Sequence, residues 1–71
     1  MIEYTVIYER GVTNWGAYIP DLPGCVSIGN TFLEVQENIK EAVALYLEVL
    51  QEDGQPIPQP STQTGKVAVM V

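Results

Sequence analysis

The sequence contains no histidine and only one cysteine. Histidine is the usual general base near neutral pH and the commonest nitrogen ligand for zinc. A serine or cysteine nucleophile would therefore lack its usual activating partner. We expect a protein with no catalytic residues, no metal site and no cofactor.

Positive charge is scarce as well. Nine acidic residues outnumber Arg10, Lys40 and Lys66, which gives a net charge of −6. Nucleic-acid-binding surfaces neutralise phosphates with clustered Lys and Arg side chains, and the sequence has no such cluster. Direct nucleic-acid binding is disfavoured, whereas the acidic charge suits either simple solubility or a basic protein partner.

Long apolar runs and paired cysteines are also missing. The longest unbroken apolar run extends from Ala42 to Leu47, far short of the roughly 18 residues that a membrane helix needs. Cys25 cannot form an internal disulfide because it has no second cysteine to pair with. We expect a cytoplasmic protein with no membrane association and a single modest core.

Alternating apolar residues predict three strands in the first part of the chain. Residues 2–9 alternate between apolar and polar and so indicate a half-buried strand. A second alternating segment, residues 15–19, follows a turn at Gly11 and Asn14. Residues 26–28 are long enough for a short third strand. The three strands should form a meander.

A proline-rich loop separates the second and third strands. Pro20 and Pro23 have no backbone N–H to donate, and Gly24 permits dihedral angles that other residues avoid. These three residues predict a rigid structural loop. Asp21 and Leu22 lie within it and are candidates for contact with a partner, because rigid loops often carry binding groups.

The helix has clear signals at both ends. Thr31 can cap its first turn while Glu34 reaches back in the capping-box pattern, and Gly54 supplies the stop. At about 100° per residue, the apolar side chains of this segment fall in one broad stripe. That stripe is expected to cover the sheet.

The opposite side of the helix is acidic. Five glutamates fall within a sector of roughly 60° across from the apolar stripe, and we call them the acidic ridge: Glu34, Glu37, Glu41, Glu48 and Glu52. Such a ridge is either an ordinary solvated face or a surface that attracts a basic partner. Glu37, Glu41 and Glu48 are the candidate partner-binding residues.

The end of the chain predicts a fourth strand. Three prolines make residues 55–64 an extended connection, after which Val67, Val69 and Val71 alternate with other residues. A right-handed crossover would place this strand beside the first. The expected fold is therefore α+β: a four-stranded sheet (β-β-β-α-β, order 3-2-1-4) covered on one face by one helix. The uncovered face would carry Ile7, Tyr18, Ala68 and Met70, which predicts a homodimer or higher homo-oligomer.

Two segments of the sequence resemble a known family. The segment from Tyr18 to Thr31 reads YIPDLPGCVSIGNT, and the segment from Ala42 to Ser61 includes LYLEVLQEDGQPIPQPS. With the surrounding order of strands and helix, these motifs closely resemble the HicB family of antitoxins, and the resemblance covers nearly the whole chain. It implies a truncated ribonuclease H-like fold.

The resemblance also implies a function. A HicB-like chain is expected to be the noncatalytic antitoxin of a type II toxin–antitoxin system, which binds and masks a small basic HicA-type toxin that cleaves mRNA. Many members continue into a C-terminal DNA-binding domain, whereas this sequence stops at Val71, so we expect a single HicB-like domain over residues 1–71 without operator binding. Two alternatives are a stand-alone homo-oligomeric regulatory domain without a toxin partner and a residual nuclease, although the metal-binding acids of ribonuclease H have no counterparts here.

Overall fold

A computed structural model describes residues 1–71 as three strands followed by one helix. The strands are β1 (Ile7–Arg10), β2 (Trp15–Tyr18) and β3 (Val26–Gly29), and the helix is α1 (Phe32–Glu52). They form an antiparallel sheet in the order β1-β2-β3. The helix α1 is not long and apolar enough to cross a membrane.

The prediction of a four-stranded sheet in the order 3-2-1-4 is wrong, because the last segment forms no strand. Residues 56–71 make no backbone–backbone hydrogen bond. Val67 and Val69 expose 87% and 74% of their surface. Alternation marks a segment that is able to form a strand, but a strand also needs an edge to pair with. Here the base of the segment is held at Ser61 and Thr62 by Asp21, and the residues beyond it do not reach the sheet.

The first strand is also shorter than the predicted 2–9. It begins at Ile7, which lies opposite Tyr18, the last residue of β2. After Tyr18 the chain turns away from β1 into the loop. The Ile19 N–H donates to the Cys25 carbonyl (3.2 Å), and Pro20 has no N–H. Residues 2–6 therefore have no strand opposite them.

The helix begins and ends where the sequence signals predicted. The Glu34 N–H donates to Thr31 Oγ1 (3.0 Å), while the Glu34 carboxylate accepts from the Asn30 N–H (3.1 Å). At the other end, Gly54 has φ +70°, and the Gln55 N–H donates to the Leu50 carbonyl (2.9 Å). This is the Schellman arrangement, which favours glycine at the left-handed position.

The core lies between α1 and the sheet. Its buried members come from β2, the loop after it and the first half of the helix: Ala17, Ile19, Leu22, Cys25, Val35 and Ile39. The helix packs against β3 and β2. Gly29 permits the closest approach, because a Cβ there would lie 2.6 Å from the Val35 backbone nitrogen.

The other face of the sheet is uncovered. The register aligns Ile7, Tyr18 and Val26 in one row, with Ile28 in the next. Val26 and Ile28 expose 64% and 68% of their surface. The expected uncovered face included Ala68 and Met70, but this part of the expectation fails with the fourth strand, because both residues belong to the exposed end of the chain.

Candidate protein-binding surfaces

The loop after β2 is held by its own backbone. The Leu22 N–H donates to the Ile19 carbonyl and the Cys25 N–H to the Leu22 carbonyl, both at 3.0 Å. Gly24 has φ +83°, a backbone conformation that residues with a Cβ rarely adopt. Leu22 is fully buried, so its side chain belongs to the core and is not available to a partner.

Asp21 binds Ser61 and Thr62 to this loop. Its Oδ2 accepts from the backbone N–H groups of Ser61 (3.0 Å) and Thr62 (3.1 Å). Its Oδ1 accepts from the two hydroxyls, at 3.0 Å for Ser61 and 2.8 Å for Thr62. These bonds, above all those from the Ser61 and Thr62 amides, lower the pKa of Asp21 to about 2. The carboxylate is thus an anchor for residues 61 and 62.

The predicted partner-binding glutamates are all solvent-exposed. Glu37, Glu41 and Glu48 lie on the side of α1 that faces away from the sheet. Glu37 alone has a cationic neighbour, with 3.8 Å between its Oε1 and Lys40 Nζ. Both side chains of this pair are mostly exposed, so it neutralises the ridge only weakly. No group of three or more Cys, Asp or Glu side chains is placed to bind a metal ion.

An apolar groove lies beside the acidic ridge. It has a volume of about 440 Å³ and runs between α1 and the β3 edge. We call it the edge groove, and its lining residues are Gly24, Cys25, Val26, Ala42, Leu45, Tyr46, Val49 and Leu50. Leu45 is 62% exposed and Val49 47% exposed. By the helical rotation, Leu45 lies between Val49 and the glutamates of the ridge, so the groove has an acidic rim.

The β3 edge next to this groove carries no charge. Exposed edge strands are usually protected by charged residues, prolines or bulges. β1 carries Glu9 and Arg10, whereas the sequence from Gly24 to Asn30 has no charged residue. The Ile28 carbonyl accepts a hydrogen bond from Asn38 Nδ2 (2.8 Å). Sequence reasoning did not identify this surface; the available signal was Leu45, an apolar residue outside the predicted stripe.

A second apolar groove lies on the β1 side of the helix. Its volume is about 390 Å³, and we call it the N-terminal groove. Its lining residues are Ile2, Tyr4, Val6, Tyr8, Ile19, Ile39, Lys40, Val43 and Ala44. The core residues Ile19 and Ile39 form part of its lining, and Lys40 is its single charged residue.

Comparison with known proteins assigns the class. Residues 4–68 match the family described as HicB_like antitoxin of bacterial toxin–antitoxin system. A UPF0150 protein of Synechocystis sp. is 38% identical over 69 residues, which is 96% of this chain and 87% of that protein. Antitoxin HicB 2 of Photorhabdus laumondii is 31% identical over 62 residues, and there the match spans 87% of this chain but only 45% of the relative.

A solved structure shares the fold. A chain of a HicA3 and HicB3 toxin–antitoxin complex superposes with a TM-score of 0.71 at 35% sequence identity, covering 84% of this chain and 70% of that one. The chain therefore belongs to the HicB-like antitoxins of bacterial toxin–antitoxin systems. Its function is that of an antitoxin.

Proposed function

We propose that this antitoxin binds and masks a small basic HicA-type toxin that cleaves mRNA. It acts without catalysis, in the cytoplasm, where mRNA is cleaved. The observation that carries the proposal is the likeness, in both fold and sequence, to a chain of a HicA3 and HicB3 complex. An acidic chain with net charge −6 also complements the positive surface that an RNA-cleaving toxin needs.

The edge groove and the acidic ridge together have the chemistry of a docking surface for such a toxin. Interfaces combine an apolar centre with a polar rim. Leu45 and Val49 supply the apolar centre, and Glu41 and Glu48 supply the acidic rim. With the same glutamates, the antitoxin would compete with RNA for the toxin's positive surface. Asp21 has no free oxygen to offer without releasing residues 61 and 62.

We also propose that the chain forms a homodimer. Both apolar grooves and the outer face of the sheet are open in a single copy. A domain of this size buries only roughly 60% of the surface that its unfolded chain exposes, so association adds stability that the single core lacks.

The toxin-docking proposal is tested by coexpression with a HicA-type toxin from the same source. Wild-type antitoxin should copurify with the toxin and stop mRNA cleavage. Leu45→Glu places a charge in the centre of the edge groove and should abolish both effects while retaining the fold, because Leu45 is mostly exposed.

The matched control is Val12→Glu. It adds the same charge at a fully exposed position in the β1–β2 turn, away from both grooves. This variant should bind the toxin like the wild type. Full toxin binding by Leu45→Glu would show that the toxin docks on another surface, and absence of binding by the wild type would overturn the proposal.

A further inference from the structure

The strand β3 forms the edge of the sheet beside the edge groove, and its register shows which of its peptide groups face outward. Antiparallel ladders alternate between residue pairs that exchange hydrogen bonds and pairs that do not. The Ile19 N–H donates to the Cys25 carbonyl, so Ser27, two positions further along β3, also bonds to β2. Val26 and Ile28 therefore direct their N–H and C=O groups away from β2, toward the open edge.

Side chains of α1 close one end of this edge. The Ile28 carbonyl accepts from Asn38 Nδ2 at 2.8 Å, and the Asn30 N–H donates to Glu34 Oε1 at 3.1 Å. Three outward peptide groups before that point have no such partner: the Val26 N–H, the Val26 carbonyl and the Ile28 N–H. Unpaired groups of this kind on an edge strand are a template for pairing with another chain. The open stretch of the edge therefore ends at Ile28.

Apolar side chains lie on both sides of the open stretch. On the inner side is the edge groove, with Leu45 and Val49 partly exposed. On the outer side are the exposed side chains of Val26 and Ile28. A strand added beside β3 would direct alternate side chains into the groove and the others against these two residues. Both faces of such a strand would thus be covered.

Charge indicates which molecule supplies this strand. Glu41 and Glu48 form the acidic rim beside the groove, while the sequence from Gly24 to Asn30 carries no charge. A second copy of this chain, with net charge −6, would bring acidic residues to an acidic rim, whereas a basic partner meets opposite charge there. The surface therefore fits an extended segment with alternating apolar side chains and basic flanking residues.

We propose that a HicA-type toxin binds this chain by adding one extended strand to β3. The added strand pairs with Val26 and Ile28 and inserts every second side chain into the edge groove. This proposal rests on the toxin-binding function proposed above and specifies how the toxin is held. Hydrogen bonds between main chains supply affinity, while the groove and the acidic rim supply specificity.

Amide hydrogen exchange, measured by NMR on the wild-type chain, tests the pairing without any substitution. In the free antitoxin the Val26 and Ile28 amides should exchange fast, and the Ser27 amide slowly because it bonds to β2. In the toxin complex, exchange at Val26 and Ile28 should slow by about tenfold or more. The Tyr8 amide, which the register turns outward at the opposite edge of the sheet, is the control and should exchange at the same rate in both states.

The outcomes separate the pairing from toxin binding as such. Unchanged exchange at Val26 and Ile28 in a stable toxin complex would overturn strand addition while leaving the toxin-binding function intact. Slow exchange of both amides in the free antitoxin, lost on dilution, would place a second copy on this edge and would also overturn the proposal. If no complex forms with the wild type, toxin binding itself is wrong and strand addition fails with it.

Val26→Pro tests the same pairing by removing one of the outward N–H groups. Edge strands tolerate proline where the N–H faces outward, so the variant should keep its fold, which thermal unfolding checks. It should bind the toxin about tenfold more weakly, because a main-chain hydrogen bond is lost and the proline ring obstructs the added strand. Val26→Ala keeps the N–H and shortens the side chain, so it should lose much less affinity. Equal losses for the two variants would show that only the side chain contacts the toxin and would overturn strand addition.

Discussion

Asp21 and Thr62, 41 positions apart in the sequence, are joined by two hydrogen bonds. The Thr62 N–H donates to Oδ2 at 3.1 Å and the Thr62 hydroxyl donates to Oδ1 at 2.8 Å. Ser61 repeats this pattern on the same carboxylate. One loop side chain thus fixes where the proline-rich connection ends and where the exposed residues 63–71 begin.

The first prediction concerns the pH dependence of this anchor. The pKa of Asp21 is lowered from 3.8 to about 2 in the folded chain. A lowered folded-state pKa means that the carboxylate contributes stability above its unfolded-state pKa, and that this contribution is lost as the pH falls from near 4 through about 2. Asp21→Asn should therefore be less stable than wild type at neutral pH.

Urea unfolding of both proteins at a series of pH values checks this prediction. The difference in the free energy of unfolding should be constant near neutral pH and shrink toward pH 2. Other carboxylates titrate in both proteins and cancel in the difference. A gap that stays the same down to pH 2 would mean that the charge of Asp21 does not contribute to the anchor.

The second prediction concerns the contact between β3 and the start of α1. A Cβ at position 29 would lie 2.6 Å from the Val35 backbone nitrogen and 2.9 Å from its Cα. Because backbone atoms must move, Gly29→Ala should lower the free energy of unfolding by about 1 to 3 kcal/mol. Gly16→Ala is the control, since a Cβ there meets only the Glu9 carbonyl at 4.0 Å. Urea unfolding should separate the two variants, and equal midpoints would contradict the close approach.

The third prediction concerns the loop glycine. Gly24 has φ +83°, and a Cβ there would meet no other atom within 4 Å, so backbone strain is the only cost of substitution. Gly24→Val should lose about 1 to 2 kcal/mol of stability. Gly65→Val should lose nothing, because a Cβ at position 65 would also meet no other atom within 4 Å and φ there is not positive. Thermal unfolding measures both, and an unchanged midpoint for Gly24→Val would refute the strain.

The fourth prediction concerns the acidic ridge. The triple variant Glu37→Gln, Glu41→Gln, Glu48→Gln should associate with a HicA-type toxin about tenfold more slowly at low ionic strength, because exposed charges act mainly on encounter. The salt dependence of association should weaken as well. Its fold should be retained and slightly stabilised, since like charges on neighbouring helix turns are removed.

A second triple variant controls for net charge. Glu3→Gln, Glu9→Gln, Asp53→Asn removes the same number of charges from positions outside the ridge. Stopped-flow association should show a larger effect for the ridge variant. Equal rates for the two variants would mean that only the total charge matters and that the ridge is an ordinary solvated face.

Local signals in the sequence predicted the local structure well. Thr31 and Gly54 define the helix because capping depends on a few neighbouring residues, and the meander follows from alternation and turn residues. The fourth strand failed because pairing is a property of two segments, and alternation at Val67–Val71 does not specify the partner. Leu22 was a candidate for contact with a partner, yet the hydrogen bonds of its loop direct its side chain into the core. The edge groove depends on how far α1 is displaced toward β3, which no single segment encodes.

The single cysteine allows local opening of the core to be measured. Cys25 exposes only 3% of its surface where it lines the edge groove, and burial raises its pKa, so a thiol reagent should react with it slowly until the loop and the helix move apart. Its modification rate in the native protein therefore measures how often the core opens. Comparing that rate in the free antitoxin and in its complex with a HicA-type toxin would show whether toxin binding reduces opening of the core.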